Sequence, residues 1–370
     1  MKMYISIIIV LFAIISCSID RNPNEYSITM TLIGFEDSTE FRLLDLDNST
    51  FIDSTYIIDG ELEFSGEVNE PFTARIHTID DKYLILWIEN SEIKAAGNYR
   101  NFESSKIEGS LLNTVMTKYR DKQEDLQNQR DSLMQLLAPL VSSQRPGAKD
   151  EIQNLFSQVK QIDKHVFDIR VDGIISEQPS YYTIKELYFL RNDFTKDSLG
   201  LLFNKFPESL QSTKYGEVIR AYIENKSIEI GDQYIDIEGL NPHGQINRLS
   251  ELNGKYILLE FWASWCGPCR SDNQNLVKVY NNFKDSGFEI YGFSIDNNTD
   301  SWKDAIEKDS LTWINVIDKN GRYSKMSAIY GVRGIPSSFL INREGIILAK
   351  NIRGKALEDK LNEELNKHKL

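Results

Sequence analysis

The sequence predicts an α/β domain at the carboxyl-terminal end, preceded by a small all-β domain and a helical segment. Three observations support this order. Short alternating apolar stretches fill residues 26–110, a helical apolar pattern that begins with a seven-residue repeat fills 111–226, and strand and helix patterns alternate over 227–370. Because the apolar period changes twice along the chain, we expect three folding units.

The first 17 residues have the pattern of a lipoprotein signal peptide. Lys2 precedes an apolar run of about 13 residues, which is shorter than the roughly 20 needed to span a bilayer. Residues 14–17 resemble a bacterial lipobox, in which Cys17 would carry the lipid. Residues 18–25 then form a tether, and the protein is expected in a Gram-negative cell envelope, facing the periplasm or in the outer membrane. The alternative is an ordinary signal peptide with a chance cysteine.

Residues 26–110 show apolar alternation in short segments about ten residues apart. Several short strands at this spacing predict a small β-sandwich or barrel. No catalytic constellation is visible in this region, and a packing or docking module is the favoured interpretation.

Residues 111–226 predict a helical hairpin followed by further helices. The apolar positions of the first helix recur every seven residues: Leu112, Tyr119, Leu126, Leu133 and Leu140. A second helix follows the break at Pro146-Gly147, and the short connection predicts antiparallel packing. A dimer seam is the second hypothesis for this stripe.

Residues 227–370 alternate between strands and helices. Predicted strands cover 256–262, 288–295, 313–317, 338–341 and 346–349, and predicted helices cover 267–285, 301–308, 324–330 and 355–367. A parallel start followed by an antiparallel hairpin is the order of a thioredoxin-like α/β sandwich.

A Trp-Cys-Gly-Pro-Cys motif occupies residues 265–269, where a predicted strand meets a helix. Apart from Cys17, Cys266 and Cys269 are the only cysteines among 370 residues, and two thiols at this spacing can cycle between dithiol and disulfide. A structural zinc site needs four ligands, and the four histidines are scattered, so no metal and no cofactor is expected. The net charge of −13 argues against nucleic acid as a partner.

The motif of residues 261–270, together with Gly334-Ile335-Pro336-Ser337-Ser338-Phe339, resembles the TlpA/ResA type of membrane-tethered thiol-disulfide oxidoreductases. The approach segments 230–233 and 249–255 also resemble that family. The leading β-domain resembles a module that precedes such domains in lipoproteins of gut Bacteroidetes, and no function follows from that second likeness.

The two cysteines are assigned different roles. We expect Cys266 at the helix amino terminus, where the helix dipole favours a thiolate, so Cys266 is the attacking thiol and Cys269 the resolving thiol. Gly267 and Pro268 between them resemble the reducing thioredoxins, which favours a reductase.

Six residues are expected around the pair. Glu260 matches the position of a buried acid in thioredoxins and could accept the Cys269 proton, or it has no role. Pro336 is expected after a cis bond, and the resemblance implies that it packs against the disulfide while the Ile335 backbone pairs with substrate. Trp265, with Gly267 and Pro268, is expected to form an apolar landing surface for the substrate.

Three functional hypotheses follow. The first is a lipid-anchored reductase of disulfides in exported proteins, supplied by an unidentified membrane electron donor. The second is a disulfide isomerase or oxidase on the same fold. The third is a non-catalytic scaffold or binding lipoprotein with a vestigial thioredoxin domain.

Overall fold

The structure is a computed structural model that describes residues 24–141, 145 and 147–367. Cys17, the signal peptide and residues 18–23 of the tether lie outside the described residues. Among the helices described, none is both long enough and apolar enough to cross a bilayer.

The leading domain contains two four-stranded sheets packed on one apolar core, which confirms the all-β prediction. One sheet has the order β4-β1-β7-β8 and the other the order β3-β2-β5-β6. The strands are β1 (Glu25–Ile33), β2 (Glu40–Asp45), β3 (Thr50–Tyr56), β4 (Glu61–Glu67), β5 (Phe72–His77), β6 (Tyr83–Ile88), β7 (Glu92–Asn98) and β8 (Lys106–Glu108). Glu25, assigned to the tether from the sequence, is therefore already part of a strand, because it pairs with Glu67 across β1 and β4.

The helical segment begins with the antiparallel pair α1 (Leu111–Val141) and α2 (Ala148–Ser176). The heptad positions of α1 are not equally buried, since Leu112, Tyr119 and Leu140 are buried while Leu126 and Leu133 are half-buried. Four shorter helices follow: α3 (Tyr181–Leu190), α4 (Lys196–Phe203), α5 (Glu208–Gln211) and α6 (Lys214–Glu224). The apolar faces of these four helices form a core of their own, which also includes Tyr323 and Ala328 of the carboxyl-terminal domain.

The carboxyl-terminal domain is a seven-stranded sheet with the order β10-β9-β13-β12-β11-β14-β15, and helices pack on it. Its strands are β9 (Glu238–Leu240), β10 (Ile246–Arg248), β11 (Tyr256–Trp262), β12 (Phe288–Ser294), β13 (Ile314–Ile317), β14 (Ser337–Ile341) and β15 (Ile347–Lys350). Its helices are α7 (Gly267–Phe283), α8 (Thr299–Lys308), α9 (Lys325–Ile329) and α10 (Gly354–Lys367). Strands β11, β12 and β13 are parallel, and β14 and β15 are antiparallel, which confirms the thioredoxin-like prediction. The short pair β9–β10 extends one edge and was not predicted from the sequence.

Asp47, in the turn between β2 and β3, joins all three parts of the chain. Its side chain is almost fully buried, and Lys185 of α3 lies 2.6 Å from Oδ1. Tyr323 of the carboxyl-terminal domain donates to the same oxygen at 3.0 Å, and Tyr215 of α6 donates to Oδ2. Lys214 completes the cluster at 3.4 Å from Oδ2. We call these five side chains the Asp47 cluster.

Two cations keep the Asp47 carboxylate ionised. Burial alone would raise the pKa of Asp47, but the Lys185 and Lys214 ammonium groups outweigh it and hold that pKa well below its usual range. Burial meanwhile lowers the pKa of Lys185, an effect that the carboxylate opposes. Each buried charge therefore depends on its partners, because neither is favourable without compensation in a low-dielectric interior.

Asp47→Asn should destabilise the protein by about 3–5 kcal/mol, because it leaves the Lys185 ammonium buried without its carboxylate. The free energy of unfolding is measured by urea denaturation with tryptophan fluorescence. The matched control is Asp53→Asn, an exposed aspartate on β3, for which a change of about 0.5 kcal/mol or less is expected. Equal effects of the two substitutions would contradict the role of the Asp47 cluster.

Candidate active site

The two cysteines of the 265–269 motif lie at the junction of β11 and α7. They are joined as a disulfide, and Cys266 is the residue that caps the amino terminus of α7. Its Sγ accepts a hydrogen bond from the Cys269 backbone N–H at 3.2 Å. Cys266 is 5% exposed and Cys269 1% exposed. When the pair is reduced, a thiolate at Cys266 would meet free backbone N–H groups and the positive end of the helix dipole.

The loop that leads to Cys266 is fixed by a buried aspartate. Ser264 donates to Asp296 through its backbone N–H at 2.8 Å and through its hydroxyl at 2.6 Å. Arg270, in the first turn of α7, donates to the Ser264 carbonyl at 3.2 Å and pairs in bidentate fashion with Asp309. These contacts hold both sides of the redox pair, so oxidation and reduction can occur in a rigid frame.

The residues expected to meet substrate surround Cys266. Trp265 is 60% exposed, and Gly267 and Pro268 are exposed on the other side of the cysteine. Pro268 is in the first turn of α7, where its missing N–H is not required. An exposed indole beside a nearly buried sulfur provides an apolar contact surface next to Cys266 in the sequence.

The Ile335–Pro336 peptide bond is cis, as the sequence predicts. Pro336 immediately precedes β14, whose Ser337 pairs with Phe261 near the end of β11, so the proline loop lies at the same end of the sheet as the cysteines. Within the described chain, neither the N–H nor the carbonyl of Ile335 makes a backbone hydrogen bond. That backbone is therefore available to pair with an extended chain.

Glu260 lies in the centre of β11 and is 3% exposed. Its Oε1 accepts from Arg353 at 3.0 Å, and the same guanidinium donates to Asp272 of α7, one turn beyond Cys269. Its Oε2 is buried and has no hydrogen-bond partner among the described residues. Arg353 thus connects the strand beneath the cysteines to the helix that carries Cys269.

The protonation of Glu260 reflects this incomplete pairing. Burial raises the pKa of Glu260 to about 8, although the charge of Arg353 opposes the shift. A carboxyl group with such a pKa can hold or release a proton near neutral pH. The unpartnered Oε2 marks the atom at which that proton can reside.

Sequence reasoning identified Cys266, Cys269 and Glu260 but missed Arg353, Asp296 and Arg270 as supporting residues. Arg353 is separated from Glu260 by 93 residues and belongs to no local pattern. Arg270 directly follows the motif, and a cation at that position was the one available signal. The structure also places Asp272 in an ion pair with Arg353.

Two regions of the chain match known protein families. Residues 230–350 match the AhpC/TSA family, and residues 26–116 match a domain of unknown function, DUF4369.

The thiol-disulfide oxidoreductase ResA of Bacillus thuringiensis subsp. konkukian is 29% identical over 146 residues, covering 40% of this chain and 82% of that relative. A crystal structure of the thioredoxin domain of a thiol-disulfide oxidoreductase from Bacteroides vulgatus is 36% identical, with a TM-score of 0.36, covering 38% of this chain and 100% of that one. A thiol-disulfide oxidoreductase from Bacteroides fragilis is 33% identical, with a TM-score of 0.35, covering 36% and 99%.

The carboxyl-terminal domain is an AhpC/TSA thioredoxin-fold domain with a redox-capable cysteine pair. The chain is a thiol-disulfide oxidoreductase similar to ResA, and it carries a DUF4369 domain in front of its catalytic domain.

Glu260→Gln should remove a pH dependence from the stability of the protein. The pKa of Glu260 is raised from its ordinary value of 4.5 to about 8, so its stabilising contribution is complete below the ordinary value and is lost as pH rises through about 8. The unfolding free energy of the wild type should therefore fall relative to that of Glu260→Gln across this interval. Urea denaturation at several pH values measures the difference.

The control is Glu364→Gln, another buried glutamate. Burial would raise the pKa of Glu364, but the Lys367 and Lys360 ammonium groups outweigh it and keep that pKa below its ordinary value. The stabilising contribution of Glu364 is lost only when pH falls below its ordinary pKa. The difference in unfolding free energy between Glu364→Gln and the wild type should therefore stay constant from pH 4.5 to about 8. If the difference in unfolding free energy between the wild type and Glu260→Gln is also independent of pH, the pKa of Glu260 is not raised.

Proposed function

We propose that this protein is an extracytoplasmic, membrane-anchored reductase of disulfides in exported proteins. The observation that carries the proposal is the placement of the cysteine pair, with Cys266 at the amino terminus of α7 and nearer to solvent than Cys269. The exposed Trp265 beside it and the open backbone of Ile335 suit a polypeptide substrate better than a small thiol.

The reaction has two exchange steps. The Cys266 thiolate attacks one sulfur of the substrate disulfide, which forms a mixed disulfide and releases the other substrate sulfur as a thiolate. Cys269 then loses its proton and attacks Cys266 Sγ, which closes the enzyme disulfide and releases the second substrate thiol. Two electrons pass from the enzyme dithiol to the substrate, and the envelope donor must restore the dithiol.

The second step needs a proton acceptor, and we assign this role to the Glu260 carboxylate. Its buried Oε2 is unpartnered, and Arg353 ties it to the first turns of α7. Arg353 prevents the carboxyl group from becoming a permanently neutral acid, because its positive charge opposes the effect of burial. Glu260→Gln is expected to slow release of the reduced product by about 100-fold, which is within the usual range for general base catalysis.

Replacing either cysteine tests the chemistry. Cys266→Ser should abolish dithiothreitol-driven reduction of insulin, because the attacking sulfur is lost. Cys269→Ser should retain the attack and accumulate a mixed disulfide with insulin, visible on non-reducing gels. Ser271→Ala, at an exposed position of α7 near the motif, is the control and should retain insulin reduction and form no trapped adduct. Full activity of Cys266→Ser would contradict the assignment of the attacking thiol, and a wild type that does not reduce insulin would favour the vestigial domain.

The reduction potential separates a reductase from an oxidase or isomerase. A Gly267-Pro268 pair between the cysteines is that of reducing thioredoxins, with potentials near −270 mV, whereas a periplasmic oxidant lies near −120 mV. We expect equilibration of the pair with glutathione to give a potential below about −230 mV. A reduction potential well above about −200 mV would contradict the reductase hypothesis and favour the oxidase or isomerase hypothesis.

The membrane anchor is part of this proposal and rests on the amino-terminal sequence. Cys17 follows the apolar run and a small residue, as a lipidated cysteine does. Cys17→Ser should move the protein from the membrane fraction to the soluble fraction and abolish incorporation of labelled palmitate in a Gram-negative host. Ser18→Ala is the control and should remain in the membrane. Membrane retention and labelling of Cys17→Ser would exclude this anchor.

A further inference from the structure

A groove of about 310 Å³ begins at the residues that precede Cys266, and two domains line it. Ser49, in the β2–β3 turn, is the contribution of the leading β-domain. The facing wall belongs to the carboxyl-terminal domain and includes Trp265, Asn297, Asn298 and Arg322. No step of the exchange reaction described above uses Ser49, Asn298 or Arg322.

The β2–β3 turn is held rigidly at the groove that Trp265 also lines. Asp45 accepts from the Asp47 and Asn48 backbone N–H groups at 2.7 and 3.0 Å, which fixes the turn internally. The Asp47 cluster then ties the turn to α3, α6 and Tyr323. A buried ion pair at the base of an exposed turn fixes the position of Ser49 relative to Trp265.

Close packing of the carboxyl-terminal domain against the turn strengthens this placement. Asn297 donates to the Asp47 carbonyl at 3.5 Å. Gly321 has a left-handed backbone, with φ of 56°, and a Cβ there would lie 1.5 Å from Asn297 Oδ1. Glycine at this position therefore lets Asn297 approach both its own domain and the β-domain turn.

The chemistry of the groove indicates what it can bind. Trp265 offers an exposed aromatic face, and Ser49 and Asn298 offer exposed hydrogen-bonding groups. Arg322 is exposed and forms no salt bridge within the described residues, whereas the Asp296 carboxylate in the groove is buried and already accepts three hydrogen bonds. The groove thus combines an available cation with the aromatic side chain of Trp265, the residue before the attacking cysteine.

We propose that the β2–β3 turn of the leading domain forms one wall of the substrate site, in a groove that receives an extended, acid-bearing segment of the disulfide-bonded protein substrate. This inference rests on the proposed reductase function and assigns a role to the DUF4369 domain. Trp265 packs against the segment, Arg322 pairs with its carboxylate, and Ser49 limits the width of the groove. The domain then selects protein substrates, while the thioredoxin-fold domain performs the exchange.

Filling the groove tests the proposal. Ser49→Tyr places a large side chain at an exposed position of the turn, so the ratio of kcat/KM for insulin to kcat/KM for hydroxyethyl disulfide should fall about tenfold. The control is Ser38→Tyr, an exposed serine of the same domain with the same left-handed backbone, outside the groove. Its ratio should remain that of the wild type, and circular dichroism and the unfolding midpoint verify that both variants fold.

The two readouts separate this proposal from the proposed function. If the wild type turns over neither disulfide, the reductase function itself is wrong. If the wild type is active and the ratio is unchanged in Ser49→Tyr, the turn is not part of the substrate site. If Ser38→Tyr shows the same tenfold fall in the ratio, the fall is a general effect of altering the domain. The proposal that the groove binds substrate is then also wrong.

The charge preference is tested in a single turnover of the pre-reduced protein. Two peptides, identical except for aspartate or lysine on both sides of the cysteine, carry 5-thio-2-nitrobenzoate as a mixed disulfide. The wild type should react about fivefold faster with the aspartate peptide, as expected for one partly exposed ion pair. Arg322→Glu should reverse the preference, and Lys319→Glu, which alters an exposed cation outside the groove, should retain it. A preference that both variants lose equally would indicate net charge rather than a pairing at Arg322.

Discussion

The buried charge of Asp47 is the interaction on which the arrangement of this protein depends. A carboxylate without water requires cations and hydrogen-bond donors at close range, and here they come from the two parts of the chain that do not contain Asp47. Lys185 and Tyr215 belong to the helical segment, while Tyr323 belongs to the carboxyl-terminal domain. The requirement for compensation therefore determines where the three parts meet, with more directional specificity than apolar packing alone would supply.

Asp47 and Glu260 show how the same physical terms give two different outcomes. Both carboxyl groups are almost fully buried, and burial favours the neutral form of each. Two ammonium groups lie beside the Asp47 carboxylate, and the hydroxyl groups of Thr73, Tyr215 and Tyr323 donate to it. The carboxylate therefore remains ionised and serves to hold the structure together. Glu260 has a single guanidinium, which it shares with Asp272, and one oxygen without a partner. The first group is fixed in one state, and the second is left near the point where it can exchange a proton.

Local patterns in the sequence predicted the fold and the reactive pair. The continuous apolar run of β11 and the apolar face of α7 are short-range signals, and Cys266 and Cys269 are recognisable from their spacing alone. Arg353 and Lys185 could not be found in this way, because their partners lie 93 and 138 residues away and a local pattern does not indicate which distant residue a side chain will meet. The half-buried positions Leu126 and Leu133 show the complementary error, since a heptad identifies a helix face but not how much of it a partner covers.

The position of Ser49 follows from the same long-range constraint and explains why a β-domain accompanies an oxidoreductase. A cysteine pair between a strand and a helix supplies chemistry that does not discriminate between disulfides, since the attacking sulfur reacts with any disulfide that reaches it. Discrimination therefore has to come from contacts beside the sulfur, where binding energy differs between substrates. A turn fixed by a buried ion pair provides such contacts at fixed distance, because moving it would separate Asp47 from Lys185 and Tyr323. The buried charge of Asp47 therefore holds the turn in a fixed position, where it forms a rigid wall of the groove that Trp265 also lines.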